Sequence, residues 1–306
     1  MRAFIFPGQG SQSVGMGRDL AGASTVAREL FQEVDEALGQ NLARLMAEGP
    51  IEDLTLTENA QPAIMANAVG TLRASGIDIA KADFVAGHSL GEYSALCAAG
   101  AFDVSTTARL LKLRGQAMQA AVPVGQGAMA ALLGASLEVA QAIADRAAEG
   151  EVCTVANDND PSQVVISGSR GAVERALEIA KEMGAKRAVL LPVSAPFHSP
   201  LMEPAARAME QALAEVAIAD PAMPLYANVT ASAVQDRGEI RRLLVEQVTG
   251  MVRWRESVAA MADAGVTHFV EFGGKVLSPM VKRIAPDAKT TSVLTMDDID
   301  ALVKEI

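Results

Sequence analysis

The stretch Val85-Ala86-Gly87-His88-Ser89-Leu90-Gly91-Glu92-Tyr93-Ser94-Ala95 constrains the fold more than any other part of this chain. It sets a serine between two glycines at G-x-S-x-G spacing. Such a short pattern arises by chance in many proteins, so its flanks decide its weight. Phe84-Val85-Ala86 reads as a short buried strand, and Leu90 to Gly100 reads as a helix of small and apolar residues. A strand that turns sharply into a helix through glycines holds the serine oxygen exposed on a strained turn, beside the free N–H groups of the helix start. A unit of this kind belongs in an α/β fold.

The elements around it follow the same rhythm. Residues 2–6, RAFIF, form a strand candidate that runs into the loop Pro7-Gly8-Gln9-Gly10-Ser11-Gln12. Helical periodicity follows at 27–38, from Gln61 to Ser75, and at 105–121. Strands alternating with helices predict a mainly parallel sheet. From about residue 126 the rhythm changes to strand (AMAALLGA), helix (137–148), strand (VCTVAN), strand (QVVISG), helix (170–184) and strand (RAVLLPV). That order, βαββαβ, is the ferredoxin-like split unit. The α/β pattern then resumes with a helix from Leu201 to Val216, strands at 224–228 and 267–272, and a terminal helix. The expected architecture is an α/β-hydrolase-like parallel-sheet domain from 1–122 and 196–306, with a ferredoxin-like subdomain inserted at 123–195.

Composition sets outer bounds. In 306 residues, 50% hydrophobic content with only 4% aromatic suits a large core rich in alanine, valine and leucine. No segment approaches the ~20 apolar residues of a membrane span, and the N-terminal apolar run is too short for a signal peptide, so a soluble cytoplasmic protein is expected. A net charge of −11 without basic runs argues against nucleic acid or an anionic membrane as partner. Cys97 and Cys153 lie far apart without metal-ligand spacing, and buried free thiols are expected, with no metal site.

A serine nucleophile needs a base, and the chain has three histidines. His88 adjoins Ser89 on a tight turn, where neighbouring side chains diverge. His268 alternates with Val266, Val270 and Phe272 in a strand and reads as a core residue. His198 sits in Ser194-Ala195-Pro196-Phe197-His198-Ser199-Pro200, after a strand and before a helix, where such folds build their sites. By elimination His198 is the base. The acid of the usual triad is missing: Asp158 and Asp160 qualify by chain order, nothing singles either out, and a backbone carbonyl could orient the imidazole instead. The loop Gly8–Gln12 is either a plain turn or an oxyanion-hole arm whose N–H joins that of Leu90. Arg114 by itself reads as a solvated charge, and Gln61 and Asn157 carry no signature of their own.

These segments together resemble the malonyl-CoA:acyl carrier protein transacylase family of bacterial fatty-acid synthesis and the related acyltransferase domains of polyketide synthases. The resemblance runs through FPGQGSQ at 6–12, TENAQPA at 57–63, GHSLGEYSA at 87–95, Leu113-Arg114-Gly115 with Met118, GAMAALLG at 127–134, VAND with QVVISG, and APFHSPLM at 195–202. It implies that Ser89 carries the acyl group, that His198 is general base and acid, and that Gln9 and Leu90 supply oxyanion-hole N–H groups. It further implies that Arg114 binds the malonyl carboxylate and that a main-chain carbonyl near Met251-Val252-Arg253-Trp254 orients His198. Gln61 and Asn157 become candidate lining residues. Leu90 after the serine and Phe197 before the histidine fall on the malonyl side of the family's malonyl–methylmalonyl distinction. The resemblance implies malonyl-CoA and acyl carrier protein as partners and no cofactor beyond the coenzyme A thioester that is the substrate.

Two positions depart from the family pattern: Arg253, where some relatives have Gln, and Gly273-Gly274, where relatives often have a longer glycine-proline-glycine turn. Rival functions on the same residues are a serine thioesterase or esterase, and a non-catalytic carrier-binding scaffold. Acyl carrier proteins of this kind are acidic, so a local basic patch is needed for docking; Lys181, Lys186, Arg187, Lys275, Lys282 and Arg283 are the candidates.

Overall fold

The computed structural model describes residues 1–306. Ten strands form: β1 (Arg2–Phe6), β2 (Phe84–Gly87), β3 (Gly127–Leu133), β4 (Cys153–Asp160), β5 (Gln163–Ser169), β6 (Arg187–Leu190), β7 (Leu225–Ala227), β8 (Ser232–Val234), β9 (His268–Phe272) and β10 (Lys289–Val293). The α-helices are α1 (Arg18–Ala23), α2 (Thr25–Leu38), α3 (Leu42–Glu48), α4 (Ile51–Thr55), α5 (Thr57–Ser75), α6 (Gly91–Ala98) and α7 (Val104–Ala121) in the first part of the chain. They continue as α8 (Leu137–Ala148), α9 (Arg170–Glu182), α10 (Glu203–Glu215), α11 (Arg237–Thr249), α12 (Trp254–Asp263), α13 (Leu277–Ile284) and α14 (Met296–Val303). The chain is therefore a mixed α/β protein.

The larger sheet has six strands in the order β10-β9-β1-β2-β7-β8, all parallel except β8, which turns back on β7. Alternation along β1 shows why helices cover both faces. Phe4 and Phe6 enter the main core with α2, α5 and α7, while Ala3 and Ile5 join Trp254, Val258, Phe269 and Val281 beneath α12 and α13. The smaller sheet has the order β4-β5-β3-β6, wholly antiparallel, with α8 and α9 on one face. Along β3, Ala128, Ala130 and Leu132 pack under those helices, whereas Met129 and Ala131 point the other way into the main core. The period of two thus divides β3 between the two lobes.

Strand β4 ties the lobes together. It bridges to Val252 in parallel register, and its carboxylates Asp158 and Asp160, both buried, accept from Arg255 of α12 and Arg283 of α13 at 2.9 Å. These are the aspartates that chain order made candidates for a triad, and their charges are used here to join lobes. Arg283 is thereby paired within the molecule through its Nε, with its side chain still half exposed.

Three regions differ from the sequence reading. Helix α5 starts at Thr57 rather than Gln61, so Pro62 lies inside it. Residues 229–266 had no assignment, although Ile240, Leu243, Leu244, Gln247 and Val248 of α11 are buried at helical spacing. Edge strand β10, with sequence KTTSV, carries too little apolar alternation to be read as a strand. No helix is long and apolar enough to cross a membrane.

Candidate active site

Strand β2 delivers Ser89 at a turn that only glycines permit on either side. A Cβ on Gly87 would lie 1.9 Å from the Gly91 carbonyl carbon, and one on Gly91 would lie 2.3 Å from the Phe6 carbonyl oxygen. The turn is pressed onto the end of β1, and Ser89 itself adopts a left-handed backbone with φ of 54°. Its Oγ faces the cavity between the lobes.

His198 arrives from the segment after the smaller sheet, also left-handed at φ 53°, in a turn closed by Ser199 Oγ donating to the Pro196 carbonyl at 2.7 Å. Its Nε2 lies 2.8 Å from Ser89 Oγ, and its Nδ1 lies 2.9 Å and 3.1 Å from the carbonyl oxygens of Gln247 and Gly250. Carbonyls only accept, so Nδ1 carries the proton and Nε2 is free to take one from Ser89. The two carbonyls sit at the C-terminal end of α11, just before the Met251–Trp254 segment, and no carboxylate is needed to orient the ring. Burial, aided by the Arg114 cation and by His88, pushes the imidazole down to about 3, so the base is neutral at physiological pH.

Arg114 is buried rather than solvated. Gly115 brings α7 close to α5, since a Cβ there would meet the Glu58 Cα at 2.5 Å, and this approach sets Arg114 against Gln61. Nη1 donates to Gln61 Oε1 at 2.8 Å; Nη2 donates to Gln247 Oε1 at 2.9 Å and to Ser89 Oγ at 3.0 Å. The guanidinium also lies 5.7 Å from the centroid of the Tyr93 ring, and its Nε has no partner. Every hydrogen-bond acceptor of this buried cation is neutral. A carboxylate arriving at Ser89 would meet a cation with no direct ion-pair partner.

The N-terminal loop completes the wall. Gln9 Oε1 accepts from Thr57 Oγ1 at 2.9 Å, which ties the loop to the start of α5, and the backbone N–H groups of Gln9 and Leu90 donate to no group of the protein. Gln9, Gln61, Ser89, Leu90, Arg114, Asn157, Phe197 and His198 all line one cavity of about 330 Å³, with Met118, Met129 and Leu191–Val193 as its apolar side. The structure therefore gathers these eight residues named from sequence around one cavity.

His88 makes no hydrogen bond to Ser89 Oγ or His198: its Nε2 meets Asn159 Oδ1 at 2.8 Å and its ring lies 5.9 Å from Trp254. His268 is a buried strand residue bonded to Thr291 Oγ1 at 2.9 Å. Arg253 uses its N–H to hold the Asn228 carbonyl at 2.9 Å and its side chain on Glu256 and Val229, without touching His198. In the shortened loop, Glu271 caps α13 by accepting from the N–H groups of Val276, Leu277 and Ser278. Of the basic candidates, Lys181 pairs with Glu178, while Lys186 and Arg187 sit where Leu133 pairs with Arg187, the end of the β3–β6 ladder away from Met129 and the cavity.

Three residues at the site were not found from sequence: Glu92, Asn228 and Gln247, all buried. The available signal was Glu92, an acidic residue within an otherwise small and apolar helix.

The acyl transferase domain family matches residues 3–278. The chain belongs to this family. A malonyl CoA-acyl carrier protein transacylase of Bacillus subtilis is 45% identical over 99% of this chain and 96% of its own length. An acyl-carrier-protein-S-malonyltransferase from Bartonella henselae, whose crystal structure is known, is 51% identical with a TM-score of 0.97, covering 99% of this chain and 98% of that one. A malonyl-transacylase solved in complex with its type II polyketide-synthase acyl-carrier protein is 39% identical with a TM-score of 0.96, covering 100% of this chain and 99% of its own. Similarity to the family is thus not confined to the G-x-S-x-G turn.

Proposed function

We propose that this chain transfers a malonyl group from malonyl-CoA to the pantetheine thiol of acyl carrier protein through a covalent acyl-Ser89 intermediate, supplying extender units for fatty-acid synthesis in the cytoplasm. The observation that carries the reading is the double contact at Ser89 Oγ, with the His198 Nε2 at 2.8 Å and the Arg114 Nη2 at 3.0 Å. One contact suits proton removal and the other suits an acyl group that ends in a carboxylate.

In the first half-reaction His198 Nε2 accepts the Ser89 proton as Oγ attacks the thioester carbon. The N–H groups of Gln9 and Leu90 stabilise the resulting oxyanion, and Arg114 binds the distal carboxylate of the malonyl group. As the carbon–sulfur bond breaks, the imidazolium returns its proton to the departing coenzyme A thiolate. The pantetheine thiol then repeats the sequence in reverse, with His198 taking its proton and returning it to Ser89. Gln61 orients Arg114, while Phe197 and Asn157 line the acyl cavity. No cofactor enters these steps.

The same reading gives the architecture: an α/β-hydrolase-like catalytic domain from 1–122 and 196–306, and a ferredoxin-like subdomain at 123–195. The β4-β5-β3-β6 order and the two helices on one face support the second label.

Intact-mass spectrometry after mixing with malonyl-CoA tests the function. A malonyl adduct should form, disappear on adding acyl carrier protein, and be absent in Ser89→Ala; His198→Ala should slow its formation by about 10²- to 10⁴-fold. An adduct that persists in Ser89→Ala, or that clears equally fast in water alone, overturns the reading.

A further inference from the structure

We propose that Asn228 and Glu92 are positioning residues for this acyl transfer: Asn228 clamps the backbone on both sides of the nucleophile turn, and Glu92 holds that clamp while aiming Gln247 at Arg114. The proposal rests on Ser89 being the acyl carrier.

Ser89 occupies a backbone region that L-residues rarely adopt, so the surrounding structure must hold it there. Asn228, at the end of β7 and fully buried, reaches across the turn. Its Oδ1 accepts from the Ser89 N–H at 2.8 Å, and its Nδ2 donates to the Gly87 carbonyl at 2.7 Å. Because one neighbour must donate and the other must accept, the amide has a single fitting orientation and no other common side chain of this size offers both groups. The Ser89 carbonyl is held in turn by Gln247 Nε2 and by the Glu92 N–H, each at 3.0 Å. Both peptide groups of the nucleophile are therefore tied, which fixes the direction of Oγ toward His198 and of the Leu90 N–H toward the cavity.

Glu92, in the first turn of α6, is the anchor behind this clamp. Its Oε1 accepts from the Asn228 N–H at 3.0 Å, and its Oε2 accepts from Gln247 Nε2. An amide whose NH₂ faces a carboxylate must present its oxygen elsewhere, and Gln247 Oε1 faces Arg114 Nη2. Glu92 thus sets which end of Gln247 meets the cation. With glutamine in its place, two amides would face one another and Gln247 could turn its NH₂ toward Arg114. Burial raises the Glu92 carboxyl to about 8, opposed by its two donors and by Arg114, and the ionised form, which can only accept, is the one that turns Gln247 Oε1 toward Arg114.

The two residues act on different parts of the site and so predict different losses. A neutral organophosphorus ester that phosphorylates serine reads the nucleophile and oxyanion hole without calling on Arg114. Asn228→Ala should slow labelling by that ester and acylation by malonyl-CoA by a similar factor, about 10- to 100-fold, with little change in KM for malonyl-CoA, as expected when a reacting atom is displaced rather than a binding group lost. Asn228→Asp keeps the acceptor for Ser89 but loses the donor to Gly87, and its rates should fall between those of wild type and Asn228→Ala. Glu92→Gln should slow malonyl acylation several-fold more than it slows labelling. Rates are taken on folded protein, confirmed by a cooperative melt; if Asn228→Ala does not fold, Asn228→Asp and Glu92→Gln carry the test. Labelling within about twofold of wild type in the folded Asn228 variants, or a loss confined to KM, overturns the clamp. Equal effects of Glu92→Gln on both reagents overturn the second arm. A wild-type chain that reacts with the ester yet takes no malonyl group instead overturns the proposed function and leaves the clamp measurable.

Discussion

Replacing Arg114 by alanine should slow malonyl transfer while sparing acetyl transfer. The guanidinium is 1% exposed, its acceptors are the amide oxygens of Gln61 and Gln247 and the Ser89 hydroxyl, and the nearest carboxylate, Glu92, is reached only through Gln247. A malonyl carboxylate would therefore form a desolvated pair with a cation that has no competing anion in contact. Truncating one partner of such a pair costs about 2–5 kcal/mol, or roughly 30- to 5,000-fold in rate. An acetyl group cannot use the cation and leaves it unpaired beside the thioester, so its removal gives acetyl transfer nothing to lose. Single-turnover acylation with malonyl-CoA and acetyl-CoA, read by intact mass, should show the malonyl rate falling by at least about 30-fold while the acetyl rate holds or rises. Because Nη2 also touches Ser89 Oγ, a loss of equal size for both substrates would mean that Arg114 supports the nucleophile rather than the substrate, and the reasoning would be refuted.

Two further expectations follow from the same geometry. Burial holds His198 neutral down to about pH 3, and the neutral form is the base, so acylation of Ser89 should be flat from about pH 5 to about 7; a half-loss near the ordinary histidine value of about 6.5 would show a solvated imidazole. At the lobe junction, Arg255→Ala strips the buried Asp158 carboxylate of its cation and should destabilise the fold by about 3 kcal/mol in urea unfolding, the low end for a broken buried pair because Arg255 is partly exposed; an unchanged midpoint would mean that the pair does not hold the lobes.

Much of this site was legible because its chemistry is local in the chain. Gly87, Ser89 and Gly91 lie within five residues, and the steric need for both glycines follows from a strand meeting a helix with no room for a Cβ. The choice of His198 over His88 and His268 likewise followed from strand alternation and loop position, which are short-range properties. The smaller sheet was readable for the same reason: its strands and helices are contiguous, and each shows its own period.

What the linear pattern could not decide is where side chains with no distinctive chemistry meet across long separations. Arg114 lies in a helix and by itself looks solvated; only the close approach of α7 to α5, with Gln247 arriving from α11, makes it a buried cation facing Ser89. Asn228 and Glu92 are an ordinary strand-end amide and an ordinary helix acid until the sheet order sets β7 beside β2 and brings Asn228 across the nucleophile turn. Asp158 and Asp160 fitted a triad acid by chain order, and the position of α12 and α13 gave them to Arg255 and Arg283 instead. Periodicity reports which face of an element is buried, so it determined the elements and the nucleophile turn. Hydrogen-bond partners depend on how those faces are juxtaposed, and that was decided only when the two sheets and their helices packed together.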